Sequence, residues 1–404
     1  MSSNPGIFKS VDVTIIGGAG HVGLPLAITC AKEGLETLIL DINERALATV
    51  AAGRMPHLEY DAEPLLAEVL ASGRLHMTSR IEDLSEGGTV VITIGTPVDE
   101  FQNPVHKSVR SCVDSILPHI KDGQLIVLRS TVYPGTTEWL DQYLRDRGRT
   151  VKVAFCPERV VQGHAIRELR EIPQIVSGTS PEAVIEAEAL FGRFARHMVR
   201  MQPKEAELAK LFCNAVRYIQ FAAANEFYMM ADAAGLDYHR IHAGMTYKYP
   251  RAQHLSRPGF AAGPCLFKDT AQLAAFAGNG FSLGSAAIQV NEGLVLHAVD
   301  MMRKQYDLSR MTVGLLGMAF KPGVDDTRSS LSYKMKKILI LHAREVLATD
   351  PYVTEDATLL PLDEVITRSD VLVLCTCHEQ YRSLDFKGKP VVDVWGFYRS
   401  PAPP

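Results

Sequence analysis

The N-terminal half of the chain alternates short apolar runs with helical patterns. Val11–Ile16 and Thr37–Leu40 are typical of buried strands, and Leu24–Glu33 between them is typical of a helix. Further predicted strands are Thr89–Ile94, Leu125–Leu128, Val151–Phe155 and Gln174–Val176. Strands that alternate with helices predict parallel βαβ units.

The pattern changes near residue 200. Lys204 to Ala234 contains no Pro or Gly and is followed by Gly235, which predicts one long helix with a glycine stop. At about 1.5 Å per residue it would span roughly 45 Å, long enough to join two domains. A second helical pattern covers Gly284 to Gln305. Strands then resume at Thr312–Leu316, Glu345–Ala348, Val371–Leu374 and Pro390–Val394.

This layout predicts an α/β protein with three parts: a sheet domain at residues 1–199, a helical connector at 200–306 and a second sheet domain at 307–404. Composition agrees, since 47% of the 404 residues are apolar and 22% are charged. The formal net charge of −4 argues against nucleic-acid binding, and no apolar run reaches the ~20 residues of a membrane span. Seven scattered Cys and a polar N-terminus favour reduced thiols in the cytoplasm.

A glycine motif follows the first predicted strand. Gly18, Gly20 and Gly23 form G-x-G-x-x-G, which lets a backbone approach a pyrophosphate at a helix N-terminus. Asp41 ends the next strand, where a carboxylate accepts hydrogen bonds from a ribose diol and repels a 2′-phosphate. The combination predicts NAD rather than NADP, and a tight turn in another α/β fold is the alternative. Arg45 either weakens that preference or is an ordinary surface side chain.

Three further features carry candidate chemistry. Cys265 lies in a loop rich in Gly and Pro, four residues before Asp269; a nucleophilic thiolate and a structural thiol both fit it. A polar stripe at helical spacing on the long helix is either solvated or aimed at a developing oxyanion; it consists of Glu207, Lys210, Asn214 and Arg217. Thr131 and Glu158 follow strands, where sheet ligands bind, although turn or N-cap roles are the alternative.

The segment Cys375-x-Cys377-His378 has the residue types of a metal site. No second pair of ligands stands at zinc-site spacing, so we predict structural thiols and no metal.

Taken together, these residues resemble the nucleotide-sugar 6-dehydrogenase family, which includes UDP-glucose, GDP-mannose and UDP-N-acetylhexosamine dehydrogenases. The matching segments keep the family's order along the chain: Gly18–Pro25, Asp41–Asn43, Gly95–Pro97, Ser130–Val132, Pro157–Glu158, Glu207–Asn214, Cys265–Asp269, Phe320–Pro322 and Asp325–Ser330. The resemblance implies two Rossmann-like parallel-sheet domains joined by a long-helix connector. The first would bind NAD, the connector would carry a homodimer interface, and the second would bind the nucleotide sugar.

The family oxidises a hexose C6 alcohol to a carboxylate, a four-electron reaction that uses two NAD in succession. The resemblance implies that Cys265 captures the aldehyde as a thiohemiacetal, which is oxidised to a thioester and hydrolysed. Lys210 and Asn214 would stabilise oxyanions, and Asp269 and Thr131 would position the hydrolytic water. Glu158 would serve in acid–base steps.

The resemblance also implies ligand contacts. The implied cofactor contacts are Gly18, Gly20, His21, Val22, Gly23, Asp41, Arg45, Thr96, Ser130, Thr131 and Arg328. The implied substrate contacts are Glu158, Arg159, Lys210, Asn214, Arg251, Gly259, Phe260, Gly263, Phe320 and Lys321.

Two segments depart from the family pattern. The loop Pro258–Cys265 is one residue shorter than usual and has Ala261 and Ala262 where Gly is common. Glucose-type members carry a substrate-binding Arg in Asp-Gly-Arg, whereas this chain has Asp393-Val394-Trp395-Gly396, with Arg399 as the substitute to consider. Conversely, the segments 157–159 and 168–175 resemble the UDP-N-acetylhexosamine branch.

We therefore expect a UDP-sugar 6-dehydrogenase of the UDP-glucose or UDP-N-acetylhexosamine type, and we slightly favour a substrate other than UDP-glucose. The alternatives are a two-electron dehydrogenase of the hydroxyacid or phosphogluconate type, and the same 6-dehydrogenase chemistry on a dTDP- or GDP-hexose.

Overall fold

The computed structural model describes residues 11–84, 88–99 and 101–398, so Arg399 lies outside the described residues. The chain forms two compact units, Met1–Phe212 and Cys213–Pro404. One long helix, α8, runs through the boundary between them. The division into three domains predicted from the sequence stays a prediction.

The first unit is a sheet with helices between its strands. Its strands are β1 (Val13–Ile16), β2 (Thr37–Leu40), β3 (Leu75–Thr78), β4 (Thr89–Ile92), β5 (Leu125–Leu128), β6 (Lys152–Phe155), β7 (Gln174–Gly178) and β8 (Met198–Arg200). Its helices are α1 (Gly23–Lys32), α2 (Glu44–Ala51), α3 (Ala62–Ala71), α4 (His106–Ile116), α5 (Thr136–Arg145), α6 (Ala165–Glu171) and α7 (Pro181–Phe191).

The strand order is β3-β2-β1-β4-β5-β6-β7-β8. The first six strands have the order of a doubly wound dinucleotide-binding sheet. The order in which strands are added to the sheet reverses between β1 and β4. Val13 pairs in parallel with Thr37 on one side and with Thr89 on the other. The crevice for a ligand therefore lies at the carboxyl ends of β1 and β4.

One strand corrects the expectation of a wholly parallel sheet. β7 runs antiparallel to β6, with Phe155 opposite Ser177, and β8 is parallel to β7. The sequence pattern of β7 predicts a buried strand but carries no signal for its direction. An antiparallel strand near one edge is common in otherwise parallel sheets.

Burial on both faces explains why these strands are continuous apolar runs. Every residue of β1, β2 and β5 is buried. Alternate side chains enter two separate cores, so Ile15 packs in one core and Ile16 in the other. Helices cover both faces, as parallel sheets require.

The second unit holds a smaller sheet. Its elements, after α8 (Pro203–Ala233), are α9 (Tyr238–Thr246), α10 (Leu266–Phe276), α11 (Ser282–Gln305), β9 (Thr312–Leu316), α12 (Leu331–Leu339), β10 (Glu345–Thr349), α13 (Leu362–Arg368), β11 (Val371–Leu374) and β12 (Val391–Val392). The strand order is β10-β9-β11-β12, and all pairs are parallel.

The predicted α/β class is confirmed, with two sheets and a long helix between them in the chain. α8 covers the predicted span within one residue, and Gly235 follows it with a φ of 68°. Over the described ranges, no helix is long and apolar enough to cross a membrane.

Candidate active site

The glycine loop after β1 closes tightly on itself. A Cβ on Gly23 would lie 2.5 Å from the Gly17 carbonyl oxygen, and one on Gly18 would lie 2.7 Å from the Ile15 oxygen. α1 begins at Gly23 with no acidic residue in its first turn and no side-chain cap. Its N-terminus therefore offers backbone N–H groups to an anion such as a pyrophosphate.

Asp41 lies at the end of β2, beside this loop. Its Oδ2 accepts a hydrogen bond from Ala19 N–H at 3.0 Å, and its Oδ1 accepts one from Asn43 N–H at 2.9 Å. The carboxylate is only partly buried, and Arg45 is exposed on the first turn of α2. Asp41 is therefore held where a dinucleotide-binding sheet places the acid that binds ribose.

Two side-chain hydroxyl groups link the loops that follow β4 and β5. Ser130 Oγ donates to the Ile94 carbonyl at 2.6 Å, and Thr96 Oγ1 donates to the Thr131 carbonyl at 2.5 Å. The structure therefore brings together Thr96, Ser130 and Thr131 at the carboxyl ends of β4 and β5. Thr131 is not an N-cap, because Gly135 precedes α5.

Glu158 is held by a residue that the sequence reasoning missed. Arg129, fully buried after β5, donates to Glu158 Oε2 and also to the Cys156 carbonyl at 3.2 Å. Glu158 Oε1 accepts hydrogen bonds from Arg159 N–H at 2.7 Å and from Val160 N–H at 2.9 Å. The sequence signal for this pair was an Arg directly after an apolar strand, a position where an unpaired charge is costly.

The polar stripe of α8 is mostly buried rather than solvated. Glu207, Lys210 and Asn214 are buried, and only Arg217 is exposed. Glu207 accepts hydrogen bonds from Gly135 N–H and from the N–H and hydroxyl of Thr137, so it caps α5. Burial raises the pKa of Glu207, and these hydrogen bonds oppose that effect. Glu207 therefore has a structural role. Lys210 and Asn214 are the buried residues of the stripe that remain candidates for stabilising an oxyanion.

Cys265 is exposed and directly precedes α10. Asp269 is fully buried one turn later, and its N–H donates to the Cys265 carbonyl at 2.9 Å. Asn214 Nδ2 donates to Asp269 Oδ2 at 2.6 Å, and Lys268 Nζ lies 2.7 Å from Oδ1. The structure thus brings Cys265, Asp269 and Asn214 together, with a cation on the buried carboxylate.

Arg328 supplies positive charge near the thiol. Its guanidinium binds Asp326 through Nε at 3.0 Å and Nη2 at 2.6 Å. The hydrogen bond to Asp326 is the main cause that raises the pKa of Arg328, and the charge of Cys265 adds to it. Arg328 is therefore paired with Asp326 in the neighbourhood of the Cys265 thiol.

A buried amide network holds the loop before Cys265. Asn225 on α8 accepts from Gly259 N–H at 2.8 Å and donates to the Gly259 carbonyl at 3.1 Å. Asn225 also donates to Asn291 Oδ1 at 2.8 Å, and Asn291 donates to the Tyr218 carbonyl at 3.0 Å. The sequence analysis missed both Asn residues, because an isolated Asn in a helical pattern carries no sign of its partner.

Two aromatic rings also lie against the same loop. A Cβ on Gly259 would lie 2.1 Å from the Trp395 indole, and one on Gly263 would lie 2.5 Å from the Phe320 ring. Gly263 also has a φ of 104°, which favours glycine. Trp395 lies in the Asp393–Gly396 segment, and its Nε1 donates to the Cys375 carbonyl at 3.2 Å.

Three other predicted substrate contacts have different surroundings. The Phe260 side chain is buried in the core of the second unit and meets Trp395 edge to face, 6.2 Å between ring centroids. Arg251 lies on the short helix Pro250–Ala252 and packs over the Tyr249 ring at 4.9 Å. Arg159 donates to the Pro173 carbonyl. Their roles toward a substrate stay predictions.

Comparison with known proteins decides the family. The sequence profile of the NAD binding domain of the UDP-glucose/GDP-mannose dehydrogenase family matches residues 11–195. Its central domain matches residues 204–293, and its UDP binding domain matches residues 314–400. The chain belongs to this family. It is thus a nucleotide-sugar dehydrogenase that uses NAD, as the resemblance of its motifs predicted.

Several relatives are similar along nearly the whole chain. A UDP-N-acetyl-D-mannosamine dehydrogenase of Pyrococcus horikoshii is 30% identical, over 92% of this chain and 90% of its own. An NDP-N-acetyl-D-galactosaminuronic acid dehydrogenase of Ralstonia nicotianae is 27% identical, over 97% and 96%. The solved structure of UDP-D-ManNAc dehydrogenase from P. horikoshii superposes with a TM-score of 0.87 at 30% identity, over 94% and 93%. A UDP-glucose dehydrogenase from Pyrobaculum islandicum superposes with 0.88 at 24% identity over 98% of each chain, which shows the fold alone.

The residues of the first unit fit NAD. The glycine loop leaves no room for side chains at Gly18 and Gly23, the N-terminus of α1 carries no competing acid, and Asp41 stands at the end of β2. His21 and Val22 lie in the same loop, and the His21 ring contacts Gln162, whose Nε2 lies 3.1 Å from His21 Nδ1.

The remaining cysteines differ from Cys265. Burial raises the pKa of the Cys30, Cys156 and Cys375 thiols to about 12. It raises the pKa of Cys112 to about 11 and that of Cys377 further. Cys213 is the other exposed thiol among the described residues. Over the same residues, no group of three or more His, Cys, Asp or Glu side chains is arranged to hold a metal ion.

Proposed function

We propose that this dehydrogenase oxidises the C6 hydroxyl of a UDP-N-acetylhexosamine to the uronate through a covalent Cys265 intermediate. The observation that carries the proposal is the exposed Cys265 at the start of α10, one turn before the buried, amide-bound Asp269. A two-electron dehydrogenase needs no such thiol. NAD supplies the hydride acceptor in each of two oxidation steps.

Cys265 is the nucleophile of the scheme. The C6 alcohol loses a hydride and a proton to give the aldehyde, and the thiolate adds to the aldehyde carbon to form a thiohemiacetal. Loss of a second hydride and a proton gives the thioester. Water then adds to the thioester carbonyl, the carboxylate forms, and the thiolate leaves. Cys265 directly precedes α10, and the N-terminus of a helix is a position that favours a thiolate.

Asp269 is the candidate group for positioning the hydrolytic water. Asn214 and Lys268 fix its two oxygens within one turn of Cys265. Asn214 also has the amide chemistry to donate to an oxyanion, and Lys210 lies one helical turn before it on α8. The family resemblance adds Thr131 for water positioning and Glu158 for acid–base steps.

Two observations support an N-acetylated hexose. The similar relatives from P. horikoshii and R. nicotianae are named for N-acetylmannosamine and N-acetylgalactosaminuronic acid substrates. The resemblance places a substrate-binding Arg of glucose-type members in the segment where this chain has Asp393–Gly396 without an Arg, and the Trp395 ring of that segment fills the space against Gly259. We therefore infer that the sugar meets an apolar indole edge rather than a guanidinium there. Phe320 and Lys321 are the proposed contacts to the nucleotide sugar.

We also propose a homodimer. The helices of the second unit expose large apolar side chains, a pattern typical of interfaces. They are Val216, Phe227 and Met230 on α8, Ile241 and Met245 on α9, and Leu283 and Leu296 on α11. Phe227→Asp should give monomers in light scattering if this surface forms the dimer. A dimer of unchanged mass would show that it does not.

The substrate proposal is tested with a panel of UDP-N-acetylmannosamine, UDP-N-acetylgalactosamine, UDP-N-acetylglucosamine and UDP-glucose. Initial rates with saturating NAD give kcat/KM, and mass spectrometry identifies the product. We expect one N-acetylated sugar to exceed UDP-glucose by about tenfold or more, which corresponds to 1.4 kcal/mol in the transition state. A higher kcat/KM for UDP-glucose would refute the choice of substrate.

A further inference from the structure

A buried Asp–His pair lies behind the loop that carries Phe320 and Lys321. The side chains of Asp350 and His378 are both fully buried, and His378 Nε2 lies 3.0 Å from Asp350 Oδ2. Asp350 directly follows β10, and His378 comes four residues after β11. The pair also includes the histidine of the Cys375-x-Cys377-His378 segment, whose ring contacts a carboxylate.

Asp350 holds the start of the loop. Its Oδ2 accepts hydrogen bonds from Met318 N–H at 2.6 Å and Ala319 N–H at 2.9 Å. Its Oδ1 accepts from the backbone N–H groups two and three residues later in the chain, at 2.8 and 3.1 Å. Burial acts to raise the pKa of Asp350, but His378 and these donors outweigh it and hold the pKa below its ordinary value. The carboxylate is thus ionised and occupied by donors of its own unit.

His378 holds the end of the loop. Gly323 N–H donates to His378 Nδ1 at 3.2 Å. A ring nitrogen that accepts a hydrogen bond carries no proton, so the partners place the ring proton on Nε2, which donates to Asp350. The rings of Tyr352 and Tyr381 pack on the imidazole, at 5.0 and 5.5 Å between centroids. Backbone anchors therefore stand on both sides of Phe320 and Lys321.

The first sheet uses an aspartate at the same position differently. Asp41 also follows the strand beside the first strand, and it also accepts from the N–H of the preceding loop, at Ala19. Asp41 is partly exposed, whereas Asp350 is covered by His378. At this position the second sheet therefore has a buried acid that anchors the backbone of the preceding loop.

We propose that Asp350 and His378 are positioning residues for the nucleotide-sugar site, because together they fix the backbone of residues 318–323 around Phe320 and Lys321. The inference rests on the proposed function, which takes Phe320 and Lys321 as the substrate contacts. Without the pair, the loop loses three of its backbone hydrogen bonds, and binding must then restore its conformation.

Calorimetric titration with UDP and with NAD tests the proposal on the full-length wild type and three variants. His378→Phe keeps a ring between the tyrosines but removes both hydrogen bonds. We expect it to raise the Kd for UDP about tenfold, the worth of one or two hydrogen bonds, and to leave the Kd for NAD unchanged. His378→Asn, which keeps an acceptor for Gly323, should recover part of that affinity. Lys321→Ala removes the proposed contact itself and should also weaken UDP alone.

The variants separate two ways of being wrong. If Lys321→Ala weakens UDP binding but His378→Phe and His378→Asn both bind UDP like the wild type, the positioning role is refuted while the proposed substrate contact stands. If Lys321→Ala binds UDP like the wild type, the loop is not the nucleotide-sugar contact and both proposals fail. Equal losses of UDP and NAD affinity in the His378 variants would indicate general unfolding and would also refute a positioning role. Should His378→Phe not fold, Asp350→Asn and His378→Asn give the same comparison.

Discussion

Replacing Asn225 with Ala tests how the loop before Cys265 is held. The amide of Asn225 satisfies three buried polar groups: the N–H and the carbonyl of Gly259, and Oδ1 of Asn291. Each buried group left without a partner costs about 1–3 kcal/mol. Water that enters the vacated space recovers part of this, so we expect a loss of about 3–5 kcal/mol in the free energy of unfolding. The corresponding fall in Tm is about 6–20 °C for a unit of this size.

The assay is urea unfolding followed by fluorescence, together with steady-state kinetics. Gln220→Ala, an exposed position on the same helix, is the matched control and should change stability by less than about 0.5 kcal/mol. We also expect kcat of the Asn225→Ala variant to fall, because the loop leads directly into Cys265. A loss below about 1 kcal/mol with a wild-type kcat would show that this amide does not hold the loop.

Three further predictions concern thiols, acid and cofactor. In the folded protein, alkylating reagent should modify Cys265 and Cys213 fastest, and Cys265→Ser should leave a single fast thiol. Fast labelling of Cys30, Cys156 or Cys375 would contradict their burial. The ionised Asp350 carboxylate stabilises the fold above its unfolded pKa of about 3.9, and this effect is lost as pH falls through the lower pKa of the folded state. The difference in unfolding free energy between the wild type and Asp350→Asn should therefore shrink below about pH 4. A difference that stays constant with pH would refute this. Asp41→Ala should reduce the kcat/KM ratio of NAD over NADP, whereas an unchanged ratio would point to Arg45 or another group.

Sequence periodicity predicted the strands well because buried parallel strands are continuous apolar runs. β2, β5, β9 and β11 have the predicted bounds. β3 was missed, because Leu75–Thr78 mixes polar and apolar residues. The antiparallel direction of β7 could not be predicted either, since direction depends on how the chain returns to the sheet and not on the residues of the strand.

The candidate chemistry was predictable where residue type and spacing suffice, as at Gly18, Gly23 and Cys265. Residues that act through a partner far away in the sequence could not be predicted. Arg129 and Asn225 are recognised only when the fold brings them to Glu158 and Gly259. The roles of the predicted site residues toward substrate and cofactor stay predictions.

The covalent role of Cys265 is tested most directly by the amount of NADH formed per UDP-N-acetylhexosamine when the sugar is limiting. We expect two NADH per sugar and a uronate product for the wild type, no second NADH for Cys265→Ser, and wild-type behaviour for Cys213→Ser. Two NADH per sugar at the wild-type rate from Cys265→Ser would contradict the covalent mechanism. One NADH per sugar from the wild type, with the aldehyde as product, would contradict the four-electron reaction.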